Sequence, residues 1–193
     1  DFRDYDRTAW YAEAVSAAVD NGLLYGKSST IIDPNGDMTR AEMAAIINRS
    51  FGCYVKADIS KYKDVSKDKW YFEDVAMAVQ MGTYNGRSNT AMAPDAPISR
   101  QEAMTVVARA LELDYDAYSK TDLSAFSDRD KISTWALPYV RAMVDADYIH
   151  GRGKVLARWT TSPVPSLHRF STTSSAHTSL QRAAMTRTSK AVF

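Results

Sequence analysis

Cysteine is almost absent: the 193 residues include one, Cys53. A single thiol excludes an internal disulfide and any cysteine-based zinc cluster, and it leaves the redox compartment open. Its expected place is a small, semi-buried position beyond a helix. Histidine is scarce too, and His150, His168 and His177 all come late in the chain. No His-Glu-x-x-His or Gly-x-Ser-x-Gly motif occurs, and the carboxylates are spread over polar faces, which argues against catalysis within this sequence. No apolar run approaches the roughly 18 residues of a membrane span. The sequence opens at Asp1 with neither an initiator Met nor a signal sequence, and is therefore expected to be a fragment or a mature product.

Acidic residues vanish from the last 46 positions, which carry seven Lys or Arg. Up to Asp147, 17 cations face 23 carboxylates, so the overall charge of +1 conceals an acidic body of −6 with a basic end. A basic tail ordinarily points to nucleic acid or membrane. What remains is the balance of a globular protein, 45% apolar and 24% charged, with room for one or two ordinary domains.

The chain repeats itself. Residues 38–47 read MTRAEMAAII and residues 98–107 read ISRQEAMTVV, so Thr39, Arg40 and Glu42 recur sixty positions later as Ser99, Arg100 and Glu102. Ser or Thr followed by Glu at the third position beyond is a capping box that satisfies free backbone N–H groups at a helix start. Capping does not account for the arginine, because a cation in the first turn opposes the helix dipole at a typical cost of a few tenths of a kcal/mol. The same shift aligns, without a gap, Phe2 with Tyr62, Asp4 with Asp64, Trp10 with Trp70, Val15 with Val75, Gly22 with Gly82, Gly26 with Gly86, Lys27 with Arg87, Pro34 with Pro94 and Arg49 with Arg109. A third copy begins at Phe126 and Asp128 and keeps Trp135, Val140, Met143, Val144, Ile149, Gly151 and Arg152 before it stops matching.

Each copy is expected to hold two helices. The first begins near Trp10, buries Val15, Ala18 and Val19, and ends at Asn21-Gly22, where glycine takes the left-handed conformation. A loop through Gly26 and Pro34 leads to the second helix at Thr39 or Ser99, which buries Met43, Ile46 and Ile47, or Ala103, Val106, Val107, Ala110 and Leu111. So short a unit buries little core alone, and the copies are expected to dock through their first helices into one body. Asp64, Ser66 and Asp68 alternate like calcium ligands but lack the glycine and closing Glu of an EF-hand loop. They are expected to lead into the helix, and no metal or other cofactor is expected.

The order aromatic-x-Asp, Trp-aromatic, Gly-hydrophobic-x-Gly, Pro, Thr-Arg-Ala-Glu resembles the S-layer homology (SLH) domain family over residues 2 to about 152. The resemblance implies an all-α fold with a pseudo-threefold array of helix-loop-helix repeats around a central bundle. The repeats span 1–60, 61–120 and a truncated 121–157. It implies a non-catalytic module at the bacterial cell surface that binds an anionic, pyruvylated secondary cell-wall polysaccharide in inter-repeat grooves and tethers an S-layer protein or extracellular enzyme. Arg40 and Arg100 would grip a carboxylate, since a guanidinium holds one bidentately and a helix N-terminus favours an anion. Lys27 and Arg87 would supply a second cation, Gly26 and Gly86 would let the sugar approach the backbone, and Trp10 and Trp70 would stack on it. Asp4 and Asp64 join the candidate ligand-binding residues. A helical protein–protein adaptor is the alternative; it predicts exposed apolar grooves and no dependence on Arg40 or Arg100.

From Arg158 the sequence RWTTSPVPSLHRFSTT bears no relation to the repeat, and 14 residues between Thr160 and Lys190 are Ser or Thr. Such segments are often disordered or glycosylated stalks. Codons chosen for Arg158 onward, read from the third base, spell MDNITRAEFASILN, the missing second-helix motif. A preceding proline then stands five residues before the threonine, as Pro34 and Pro94 do. The stretch 158–193 is therefore expected to be a frameshift product, whose charge carries no information about nucleic acid.

Overall fold

The computed structural model describes residues 2–9, 11–149 and 154–156; Trp10, Gly151, Arg152 and everything from Ala157 onward lie outside the described residues. Among the described residues there are five α-helices: α1 Ala12–Asp20, α2 Arg40–Phe51, α3 Phe72–Gln80, α4 Arg100–Ala110 and α5 Leu137–Asp145, with a 3-10 turn at Arg129–Lys131. Among the described residues there is no strand, and pairing is confined to isolated bridges such as Thr39 with Pro97.

The local signals in the sequence explain where the helices start and stop. Thr39 and Ser99 stand as extended N-caps, and both form the full capping box with Glu42 and Glu102. The first helices of the repeats have no such side-chain cap. They end where Gly22 and Gly82 take positive φ, and the third copy places Asp147 there, at φ 62°. Substituting Asp at a left-handed position costs some backbone freedom, but Asp tolerates it better than most side chains.

Each junction uses a first helix, α3 or α5, but its partner is the second helix of the preceding copy. The second helix of each of the first two copies lies against the first helix of the next: α2 packs on α3 and α4 on α5, with α2 also touching α4. The reason lies in the two apolar faces. Met43, Ala44 and Ile47 on α2 and Val75, Ala76 and Ala78 on α3 are all buried in one continuous core, which runs on through Met104 and Val107 to Val140 and Met143. α1 stays outside that core. Its Val15 packs with Tyr11 and Ile32 in a separate small cluster ringed by Phe2, Tyr5, Val19 and Leu24. Cys53 is half-buried just after α2, as expected.

Candidate functional site

Arg40 is not the exposed helix-start cation that its position suggested. It is 4% exposed and reaches across to the second repeat. Nε donates to the Met92 carbonyl at 3.0 Å, Nη2 to the Asn85 carbonyl at 3.2 Å, and Nη1 pairs with Glu102 Oε1 at 2.9 Å. The Tyr84 ring faces the guanidinium, 5.1 Å from its centroid. The backbone N–H groups of Arg40 and Ala41, which would have been free for an anion, donate to Ala96 and Pro94. The start of α2 is thus a plug between repeats. Glu102 completes it, bonded to Ser99 in its own capping box and to Arg87 at 3.2 Å. Burial opposes its ionisation, yet the Ser99 N–H, Arg40, the Ser99 hydroxyl and Arg87 together hold the carboxyl below the ordinary glutamate range.

Arg100 stands at the corresponding place one junction later and is half-buried there. Its Nη2 donates at 3.4 Å to the carbonyl of Leu156, the residue of the third copy that corresponds to Met92. The correspondence is set by the aspartates. Asp4 accepts from the amides of Ile32 and Asp33, Asp64 from those of Met92 and Ala93, and Asp128 from that of Leu156. Bonding to the Ile32 amide above all keeps the Asp4 carboxyl below its usual range. These carboxylates staple the returning loop. Gly26 and Gly86 serve the same loop: a Cβ on Gly86 would stand 2.5 Å from the Tyr62 ring and 2.4 Å from the Ser88 carbonyl, and one on Gly26 would meet Phe2 at 2.7 Å. The aromatic of the aromatic-x-Asp motif therefore packs on the glycine, and the two motifs are one joint.

Trp70, Gly26 and Lys27 are brought together. All three line a cavity of about 430 Å³ formed mainly by the first repeat, with Tyr25, Glu42 and Arg49, and Trp70 is its lining residue from the second repeat. The Trp70 indole is 60% exposed. Its neighbour Tyr71 explains why: that ring is buried, edge-on to Trp70 at 5.4 Å, and its hydroxyl donates to Asp95 at 2.8 Å. Burial first, then Asp95, pushes the Tyr71 phenol up to about 12. One aromatic anchors the chain and the other is left facing the groove. Lys27 Nζ pairs with Glu42 at 2.6 Å and bonds the Asp37 carbonyl at 3.3 Å. Arg49, not singled out as a site residue from sequence, stacks over Tyr25 at 4.3 Å and donates to the Leu23 carbonyl. Its only signal was recurrence as Arg109. Arg87 keeps to Glu102 and the Pro97 carbonyl. Asp64 is taken up by loop amides and Ser66 donates to Asp68; among the described residues no group of His, Cys, Asp or Glu is arranged to hold a metal ion. None of the described helices is long and apolar enough to cross a membrane.

Residues 1–44 and 61–104 match the S-layer homology domain, and the chain carries this domain twice. It is 36% identical over 125 residues to the surface-layer 125 kDa protein of Lysinibacillus sphaericus, covering 63% of this chain and 10% of that protein. It is 23% identical over 151 residues to an endoglucanase of Bacillus sp. (strain KSM-635), covering 78% of this chain and 16% of the enzyme. Against an amylopullulanase of Thermoanaerobacterium thermosulfurigenes it is 26% identical over 156 residues, 77% of this chain and 8% of the relative. The chain spans at most about a sixth of the length of these three relatives. Surface-layer proteins and far longer enzymes thus share a non-catalytic anchoring module that belongs to the bacterial cell surface.

Proposed function

We propose that the two S-layer homology domains hold an anionic, pyruvylated secondary cell-wall polysaccharide in the groove between repeats, and so tether a larger surface protein or extracellular enzyme to the wall. The observation that carries this reading is Trp70, an indole 60% exposed on the second repeat, beside Lys27 and Gly26 on the loop of the first. An exposed indole offers an apolar face to a sugar ring. Lys27 and Arg49 are the cations best placed to meet a ketal carboxylate, through charge-assisted hydrogen bonds. The body is proposed to be pseudo-threefold, with one groove per junction. At the next junction Gly86 and Arg87 take the places of Gly26 and Lys27, and Trp135, 50% exposed, takes that of Trp70. Arg40 and Arg100 enter this reading as the residues that lock the junctions on which the grooves depend.

A pull-down with purified sacculi, with and without their secondary polymer, tests the proposal. Binding is expected only when the polymer is present, and Trp70→Ala is expected to weaken it without loss of helical circular dichroism. Equal capture by stripped sacculi would overturn it.

A further inference from the structure

The chain contains three Asn-Gly pairs, Asn21-Gly22, Asn35-Gly36 and Asn85-Gly86. Asparagine before glycine is chemically labile, because the glycine nitrogen meets no side chain of its own when it attacks the asparagine amide. The fold holds two of the pairs in place. At the end of α1, Asn21 Nδ2 donates to the Ala17 carbonyl at 2.7 Å and the Gly22 N–H to the Val19 carbonyl at 2.9 Å. In the second repeat the Asn85 carbonyl accepts from Arg40, the Gly86 N–H donates to the Tyr62 hydroxyl at 3.2 Å, and Gly86 is wedged against the Tyr62 ring and the Ser88 and Ala91 carbonyls. Ring closure at either pair has to break these contacts first.

Asn35 is different. It is exposed in the turn Asp33-Pro34-Asn35-Gly36, with proline second and glycine fourth as in a type I turn. Among the described residues its side chain forms no hydrogen bond, and one bond, from the Gly36 N–H to the Asp33 carbonyl at 3.1 Å, closes the turn. Both ends of this strap are fixed: the Asp33 amide donates to Asp4 at 2.7 Å, and the Met38 carbonyl accepts from the Ile98 N–H at 2.9 Å. The turn can therefore open while its flanks stay in place. The second repeat shows that an acid is accommodated at this position. The residue sixty positions on is Asp95, whose Oδ2 accepts from the Tyr71 hydroxyl at 2.8 Å, and Tyr11, buried like Tyr71, holds the matching place in the first repeat.

We propose that Asn35 is a deamidation site of this chain, and that its conversion weakens the neighbouring groove's hold on an anion. The Gly36 nitrogen gives its proton to hydroxide and attacks Asn35 Cγ; the bond from Cγ to the side-chain nitrogen breaks, ammonia leaves, and a succinimide forms. Water then opens the ring. Cleavage between Cγ and the Gly36 nitrogen leaves aspartate, whereas cleavage between the main-chain carbonyl carbon and that nitrogen leaves isoaspartate, whose main chain runs through Cβ and Cγ and is one carbon longer. Either product places a new carboxylate between Pro34 and Gly36, which both line the 430 Å³ cavity. Isoaspartate also lengthens the strap that presents the Asp37 carbonyl to Lys27. The site of reaction stands on the turn alone, and its effect on binding rests on the function proposed above.

The full chain is aged at mildly alkaline pH, folded and in urea, and its peptides are mapped by mass, with isoaspartate counted by enzymatic carboxyl methylation. In the folded chain Asn35 is expected to convert roughly tenfold or more faster than Asn21 and Asn85, a gap that urea should close. Equal rates in the folded chain, or an Asn35 slower than either, would overturn the site. Sacculus binding by fresh, aged and Asn35→Asp chains tests the consequence. The aged and Asn35→Asp chains should bind about two- to fivefold more weakly at low salt and differ less at high salt. Asn35→Gln, whose cyclisation needs a larger and slower-forming ring, should keep its affinity through ageing. If Trp70→Ala weakens binding while ageing and Asn35→Asp do not, the effect on the groove is overturned and the function proposed above stands. If none of the three changes binding, both fall.

Discussion

Replacing Arg40 by alanine should damage stability, not merely ligand capture. The guanidinium is buried against the second repeat, and its removal leaves the Met92 and Asn85 carbonyls without their donor and Glu102 without its nearest cation. Breaking a buried ion pair by deleting one partner costs about 3–5 kcal/mol. Here Arg87 still pairs with Glu102, whose side chain is 14% exposed, so water and a second cation soften the loss. An expected cost of roughly 2–4 kcal/mol follows. Arg40→Lys keeps the charge but loses the fork of donors and should fall between parent and alanine. The pH dependence fixes the cause. Because the folded-state carboxyl of Glu102 lies below its ordinary range, its contribution is present above the unfolded pKa and is lost as pH falls through the folded value. Without Arg40 that folded value rises, so the acid-side loss should begin at higher pH. Urea unfolding followed by circular dichroism at neutral and acidic pH measures both effects. A variant within about 0.5 kcal/mol of the parent, the range of ordinary surface substitutions, would refute the assignment of Arg40 as a junction lock.

Gly86→Ala should cost about 1–3 kcal/mol through overpacking, since its Cβ would meet the Ser88 and Ala91 carbonyls and the Tyr62 ring within 2.7 Å; an unchanged thermal midpoint would contradict the joint. Asp64→Ala, which frees the amides of Met92 and Ala93, should lose about 1–3 kcal/mol and be visible as faster amide exchange at those two positions. Trp70→Ala should leave unfolding within about 0.5 kcal/mol of the parent because the ring is largely exposed; a large loss would show that the indole is a structural anchor.

Much of the helical frame was legible because its signals are local. The capping boxes at Thr39 and Ser99 and the stop at Gly22 each depend on residues within one turn. The junctions were not legible for the opposite reason. Arg40 meets Glu102 across 62 positions, and nothing in either segment states that the pair will be buried. An arginine that defies the helix dipole looked like a free ligand cation, whereas its compensation is a carboxylate and two carbonyls of the next repeat. The helix partners were hidden similarly: helical periodicity identifies an apolar face but not its partner, and α2 chose α3. Asp4 and Asp64 were picked out by recurrence, but recurrence alone cannot tell a loop staple from a ligand contact. The grouping of Trp70 with Lys27 came from three-dimensional adjacency of two repeats, which the sixty-residue shift hides by aligning Trp70 with Trp10.

The most direct measurement of the central claim is a calorimetric titration of this chain with purified secondary cell-wall polysaccharide, before and after acid removal of its pyruvate ketals. The account predicts saturable binding to the intact polymer that is lost with the ketals and weakened by Trp70→Ala. Binding that survives both the removal of the ketals and the loss of the indole would contradict it.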